Sequence, residues 1–482
     1  MKNRIWLCIL LSIYFLVSAS YSKKQGFWHD EIYTLTFLQG ISAYNFEGST
    51  LDEMNGNATS YNCKGVLGKD CFLENFKLQI LHEGHPPVYF ILLKAWSEVF
   101  GNDELGLRSF SLFCGLGFIF LFFTLAERKF GSRTAWFSLI PLFFSPYLFY
   151  YFSEARMYSL GMLFALLTFK YWINWRMELN YFSKEYFLMI FFSTMLIFTH
   201  YYGLFFLGSL FFIDLIKHKL NPRILLSQMY LVLFSPWLLV IPHQTNFHKI
   251  HWTDGSLPFG ESVIGFFEGV VSMIYTLQGD LNYFELSISL VAITTSFYVL
   301  RKERMMLKII VGTFLFYFLE VFVFDCITNH HTITVNRYYI FLLILFYWFI
   351  AVVFDATKGK FRFILLGIFT LLPIHSCVEI YMLRLAPKQM MREVANYIDS
   401  KFESESTLVV VEPDGVAVWG LSLYLHGDFE MLSADDLKFN ATNKRIIFID
   451  ETLGDKISEN HLNHQEQSRM KAVPFVGLIL YE

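Results

Sequence analysis

Long apolar runs separated by short polar segments dominate the first four-fifths of the chain. A helix crossing a bilayer needs roughly 17–25 predominantly apolar residues. Runs of about that length lie at about 5–21, 108–126, 134–151, 157–174, 185–200, 203–217, 223–242, 282–300, 307–325, 338–355 and 362–381. The pattern predicts an all-α polytopic membrane protein with about 11 transmembrane helices. Beyond residue 384 the pattern changes. Thr407–Val411, Arg445–Asp450 and Val473–Leu480 read as three buried strands, and Val416–Leu425 and the Asp455 region can supply helices. The organisation expected is a transmembrane domain over 1–384 and a small α/β domain over 385–482.

One apolar run, Val88–Phe100, is short and carries Lys94 and Glu98. Counting it as a span would reverse the orientation of everything after it. Loop charge decides, because cytoplasmic loops collect Lys and Arg. Without it as a span, the clusters Lys2/Arg4, Arg128/Lys129/Arg133, Arg176/Lys184, Lys217/Lys219/Arg223, Arg301/Lys302/Arg304/Lys308 and Lys358/Lys360/Arg362 all fall on one side. With it, the first opposes the rest. Residues 86–100 are therefore read as an amphipathic helix in the outer interface. The N-terminus is then cytoplasmic. Residues 22–107, the 152–156 and 200–203 turns, 243–281, 326–337 and the C-terminal domain are extracytoplasmic. Met1–Val17 has the layout of a signal peptide, and Ser18-Ala19-Ser20 resembles a cleavage site. It is read as an uncleaved first span, since chemistry-bearing residues follow it at once.

Composition supports the bilayer as solvent. The chain is 55% hydrophobic and 17% charged, against about 25% charged in an ordinary soluble domain. A net charge of −4 argues against a nucleic-acid partner, which would want a basic face. Cys8, Cys114, Cys326 and Cys377 lie in or beside apolar runs and read as small core residues. Cys63 and Cys71 share one polar loop and can pair if it faces an oxidising compartment.

The polar chemistry gathers on the outer side. His29, His82, His85, His200, His243, His248, His251, His330 and His331 sit there, with Asp30, Glu31, Glu83, Glu154, Arg156 and Arg337. Several short motifs among them resemble those of one family. Trp28-His29-Asp30-Glu31 resembles the Asp-Glu motif of GT-C glycosyltransferases. His85-Pro86-Pro87-Val88-Tyr89 resembles the motif that opens their interfacial helix, and Leu107-Arg108-Ser109-Phe110-Ser111 the start of their second span. Ser153-Glu154-Ala155-Arg156-Met157-Tyr158, Thr199-His200-Tyr201-Tyr202 and Arg337-Tyr338 also have counterparts. The resemblance is to the branch of protein O-mannosyltransferases and aminoarabinose transferases. It covers roughly residues 1–350, in order. Three departures stand out: Ser153 where Gln is usual, Phe110 where Pro is usual, and Gly84-His85 where the aminoarabinose transferases carry Glu-Lys.

The resemblance implies a GT-C fold with outer interfacial helices. It also implies a polyprenyl-phosphate-sugar lipid donor and an inverting transfer to a hydroxyl of a lipid, glycan or protein acceptor. The site would face the outside of a bacterial inner membrane. It gives Asp30 the role of general base, with Glu31 orienting or binding beside it. His85, Glu154, Arg156, Tyr158, His200, Tyr201, Arg337 and Tyr338 become substrate-binding candidates. The chemistry suits these residue types. Phosphate is a good leaving group, so the main need is a base for the acceptor proton. Arg meets phosphate oxygens bidentately. Each residue also has a plainer reading: Asp30 and Glu31 as a helix N-terminal acid pair, Arg337 and Arg156 as snorkelling anchors, His85 as a local cap, His200 and Tyr201 as interfacial anchors. No cofactor is required; a divalent metal stays open, with His243, His248 and His251 as one unpatterned candidate set. The rival class is a transporter or flippase of a lipid-linked substrate. Such proteins show internal repeats and ionisable groups at the midplane; no repeat is visible here, and His375 is the main mid-span exception. A structural subunit of a glycan-assembly complex would not need Asp30.

Overall fold

The computed structural model describes residues 2–24, 26–40, 72–218, 221–247, 255–275, 287, 291, 294–299, 301, 304–357, 359–383, 391–411, 420–433 except 422 and 428, 445–451, 472–475 and 478–481. Cys63, Cys71, His248, His251, the Asp455 region, most of the span expected at 282–300 and the side chain of His375 lie outside the described residues. The chain forms two compact units. The first comprises Met1–Ser20, Gly84–Leu92 and Arg108–Ala386, and the second Tyr21–Glu83, Leu93–Leu107 and Pro387–Glu482.

The first unit is helical. Among the described residues three helices have the length and apolarity to cross a membrane: Asn3–Lys24, Glu104–Phe130 and Val311–Thr328. Tyr158–Met177, Lys184–Ile197, Gly203–His218, Leu342–Ala356 and Lys360–Leu383 form at other positions read as spans. Two expected spans are not single helices. The run at 134–151 is a pair, Ser132–Phe143 and Pro146–Phe152, bent by 69°. Pro146 takes the first turn of the new helix, and the Ser145 hydroxyl accepts from the Leu148 N–H, so the sequence itself ends one helix and caps the next. The run at 223–242 breaks into Pro222–Leu226, Met229–Phe234 and a 3-10 turn Ser235–Leu239. Pro236 lacks the N–H that would continue the helix. The segment read as an outer loop, 243–281, contains a 17-residue helix, Phe259–Tyr275. The four cysteines placed in the core divide. Cys114 is buried and Cys377 half-buried, but Cys8 and Cys326 lie on exposed helix faces.

In the second unit the helix His29–Gln39 ends at Gly40 with φ 78°, the left-handed conformation glycine tolerates. Helix Met391–Lys401 buries Met391, Val394, Ala395 and Ile398, the single apolar stripe of an amphipathic helix. A five-stranded sheet follows, built from β1 (Thr407–Val411), β2 (Glu430–Ser433), β3 (Arg445–Glu451), β4 (Ala472–Phe475) and β5 (Leu478–Tyr481), in the order β2-β1-β3-β5-β4. β1 runs parallel to both β2 and β3, with Val409 opposite Met431 and Ile447. A central strand covered on both faces reads as a continuous apolar run, which is why Leu-Val-Val-Val was legible. The segment Val473–Leu480, expected as one strand, is an antiparallel hairpin, and β2 was not expected.

Candidate active site

In the first unit, five separate stretches bring polar and aromatic groups together. Pro86 and Pro87 open the helix Val88–Phe100, and the Val88 N–H donates to the Phe198 carbonyl at 3.0 Å. That bond ties the His85 stretch to the turn holding His200, and the two imidazole rings lie 5.8 Å apart. His200 is almost fully buried. The rings of Tyr158, Tyr202, Phe341 and Tyr338 surround it at 5.6, 5.7, 5.7 and 6.2 Å. Tyr202 and Tyr338 stack face to face at 4.0 Å. Gly161 matters here: a Cβ would lie 2.8 Å from the Phe341 ring.

The Tyr202 N–H donates to His200 Nδ1 at 3.2 Å. His200 Nδ1 is therefore the unprotonated nitrogen and Nε2 carries the proton. Nε2 meets no hydrogen-bond acceptor among the described residues. The ring is held neutral. Burial lowers its pKa well below the usual histidine value, and the positive charges of His85, Arg156 and Arg337 push the same way. By geometry His85 lies beside the His200 ring, and Arg337 neighbours Tyr338, which packs against the same ring.

The backbone that carries each arginine is held by hydrogen bonds. The Arg156 carbonyl accepts from Ser111 Oγ at 3.1 Å, which in turn bonds Tyr89 Oη at 3.1 Å. The Arg156 N–H reaches the Glu154 carbonyl at 2.8 Å, closing the 152–156 turn. Glu154, Arg156 and Tyr158 are all buried. Arg337 sits on a 3-10 turn, Asn336–Tyr339, half-buried, with its guanidinium 5.8 Å from the Tyr338 ring. That turn is pinned from below. Asp325 accepts from Thr332 Oγ1 at 2.5 Å and the Ile333 N–H at 2.8 Å, while Tyr317 Oη donates to the Tyr338 carbonyl at 2.7 Å. Tyr201 Oη accepts from Trp237 Nε1 at 2.8 Å and donates to the buried Gln244. These contacts, and one with the Phe234 ring, are apart from the His200 ring cluster.

Asp30 and Glu31 belong to the second unit, at the start of His29–Gln39. Glu31 is fully buried, and its Oε2 accepts from the Trp28 N–H at 3.4 Å. That bond lies within the first turn of its own helix. Asp30 is half-buried, and its side chain stands next to the helix's positive end. Three residues were not singled out from sequence: Tyr202, Phe341 and the almost fully buried Arg108. Arg108 and Tyr202 lie inside motifs quoted above, so the signal was present. Phe341 is one apolar residue in an apolar run, and nothing marks it. Among the described residues no group of three or more His, Cys, Asp or Glu is arranged to hold a metal.

The geometry gathers histidine, arginine and aromatic side chains about one buried imidazole. Residues 84–244 match the family model of dolichyl-phosphate-mannose-protein mannosyltransferases. Over the whole chain the fold is similar to that of ArnT from Cupriavidus metallidurans. The crystal structure of ArnT bound to undecaprenyl phosphate aligns at a TM-score of 0.56 and 13% identity, covering 99% of this chain and 97% of that one. The apo structure aligns at 0.56 and 14%, covering 100% and 98%. No curated protein matches the chain in a sequence search. The resemblance to GT-C glycosyltransferases is thus borne out, by sequence over residues 84–244 and by fold along the chain.

Proposed function

We propose that this chain is an inverting membrane glycosyltransferase. It takes a sugar from a polyprenyl-phosphate carrier and transfers it to an acceptor hydroxyl on the extracytoplasmic side of the membrane. The observation that carries the reading is the packing of His85, Tyr158, Tyr338 and Phe341 around the buried His200, with Arg337 beside Tyr338 and the buried Arg156 in the turn before Tyr158. A lipid phosphate is the anion such a site suits, and ArnT, similar in fold, is known with undecaprenyl phosphate bound.

The proposed step is a single displacement. The acceptor oxygen attacks the anomeric carbon while its proton passes to a carboxylate, the role that the family resemblance gives to Asp30. The carbon–oxygen bond to the carrier breaks, and the phosphate leaves with the electron pair. Arg337 and Arg156 then face more negative charge than they did in the ground state, so they favour the transition state. His200, neutral and with its Nε2–H not bonded to another described residue, can donate one further hydrogen bond without adding charge. Glu154 and Tyr158 shape the turn that presents Arg156, and Tyr338 carries Arg337. The test is a transfer assay with purified protein, radiolabelled carrier-linked sugars and an Asp30→Asn control. Transfer by the wild type and none by the control supports the reading; transfer by neither, with every carrier-linked sugar offered, counts against it.

A further inference from the structure

We propose that Glu104, Arg392 and Tyr424 form a positioning device through which the C-terminal domain holds the Asp30-bearing helix start in place. This inference rests on the reading of Asp30 as the base.

All three residues and the segment they hold lie in the second unit. Tyr424 Oη accepts from the Phe27 backbone N–H at 2.7 Å and donates to Glu104 Oε1 at 2.7 Å. Arg392 Nη2 donates to the same Glu104 oxygen at 2.5 Å, and Arg392 Nη1 donates to the Lys23 carbonyl at 3.3 Å. The Arg392 guanidinium lies 5.4 Å from the Tyr424 ring. Two residues of the C-terminal domain thus grip the backbone on either side of Gly26. Glu104, the first residue of a long helix, joins them. The grip is close. A Cβ on Gly26 would lie 3.0 Å from Arg392 Cβ and 3.2 Å from Tyr424 Oη. The contact continues past the helix start, where a Cβ on Gly420 would meet Ile32 Cδ1 at 2.5 Å.

The consequence follows from what these bonds fix. Phe27 is the residue before Trp28, and Trp28 is the N-cap of the helix that carries Asp30. The Phe27 amide donates to Tyr424 Oη, so Tyr424 helps to orient the chain as it enters the first turn. A misplacement of about 1 Å at a reacting group can cost roughly a hundredfold in rate. The C-terminal domain is therefore part of the catalytic apparatus without contributing a reacting group.

The experiment uses full-length protein in nanodiscs, with Tyr424→Phe, Glu104→Gln and Glu104→Ala alongside Asp30→Asn. Hydrogen exchange is followed over residues 21–39 and over the sheet, and transfer kinetics are measured in parallel. Tyr424→Phe keeps the ring but loses both hydrogen bonds. It should speed exchange at 21–39 by about tenfold while the sheet strands stay at the wild-type rate. It should lower kcat by about tenfold or more with the donor KM little changed. Glu104→Gln, which keeps an acceptor oxygen, should retain more activity than Glu104→Ala. Wild-type exchange at 21–39 in Tyr424→Phe overturns the proposal. So does equal loosening of the sheet, which would mean general destabilisation, and so does wild-type kcat while Asp30→Asn is inactive. If instead Asp30→Asn turns over normally, the base reading falls, and the exchange data alone still decide whether the device holds the segment.

Discussion

In the first unit the candidate residues are cations and a neutral imidazole enclosed by aromatic rings, held by bonds within that unit from residues up to about a hundred positions away. In the second unit they are two adjacent carboxylates at a helix start, and the chain entering that helix is held by residues hundreds of positions away. The difference follows from the two tasks proposed. Binding a lipid phosphate asks for fixed positive charge in a place water reaches poorly, where each charge counts for more. Accepting a proton asks for a carboxylate that stays ionised, which needs partial exposure and the positive end of a helix. Asp30 is half-buried and Arg156 almost fully buried, in keeping with that division.

The sharpest break would come at Asp30. Asp30→Asn keeps the size and hydrogen bonding but cannot take a proton, and general-base catalysis is typically worth about 10²–10⁴-fold. The variant should lose activity of that order with carrier binding unchanged, because binding is assigned to the other unit. Parallel loss of both, measured by transfer and by carrier-lipid titration, would dissolve the division of labour.

Next comes Arg337. Lys in its place keeps the charge and can still reach lipid headgroups, but loses the paired donors that hold two phosphate oxygens. Arg337→Lys should insert normally, bind the carrier more weakly, and lose about 10–100-fold in transfer. A headgroup anchor would accept Lys freely. Wild-type binding and transfer in this variant would move the phosphate partner to Arg156 or His85.

The motifs of the first unit were legible because each is short and builds its own geometry. Two prolines hold His85 extended, and the Glu-Ala-Arg turn closes on itself. A linear pattern suffices where the structure is local. The breaks at Ser145 and Pro236 were also written in the sequence, but hydropathy averaged over a span hides a single cap or proline. The helix Phe259–Tyr275 was missed because its segment was assigned by sidedness rather than by period. The Glu104, Arg392 and Tyr424 contacts lay beyond sequence reasoning altogether. They join residues 288 and 320 positions apart, and each is an ordinary polar residue in its own stretch.

His200 offers a finer test of the first unit. Its folded pKa is depressed by burial and then by the neighbouring cations, so below the ordinary value of about 6.5 the unfolded chain binds the proton more readily. Stability is full above that pH and declines as pH falls through it, by up to about 1.4 kcal/mol per pH unit. His200→Gln should flatten the slope of thermal midpoint against pH between about 6.5 and 5. An unchanged slope would mean that the ring is not enclosed as described.

The smallest effect belongs to the C-terminal domain, and it asks whether that domain's own fold is separable from its hold on the helix start. Asp399 lies in the last turn of Met391–Lys401. Its Oδ2 accepts from the His426 backbone N–H at 2.8 Å and from His426 Nδ1 at 3.1 Å, and its Oδ1 accepts from the Gly427 N–H at 3.0 Å. Burial by itself would raise this carboxyl, but the bonds from His426 and Gly427 outweigh it and hold the group below the usual aspartate value. An acid depressed on folding contributes stability above its unfolded pKa of about 3.9 and loses it as pH falls through the lower folded value. Asp399→Asn replaces one acceptor oxygen with a donor, so it should cost about 1–2 kcal/mol near neutral pH, and less in acid as pH falls through the folded value. Because Asp399 and His426 are distinct from Arg392 and Tyr424, the variant should leave exchange at residues 21–39 and the transfer rate unchanged. Denaturation curves near neutral pH and in acid check the first part. Loosening at 21–39 equal to that of Tyr424→Phe would show that domain stability and helix positioning are one property.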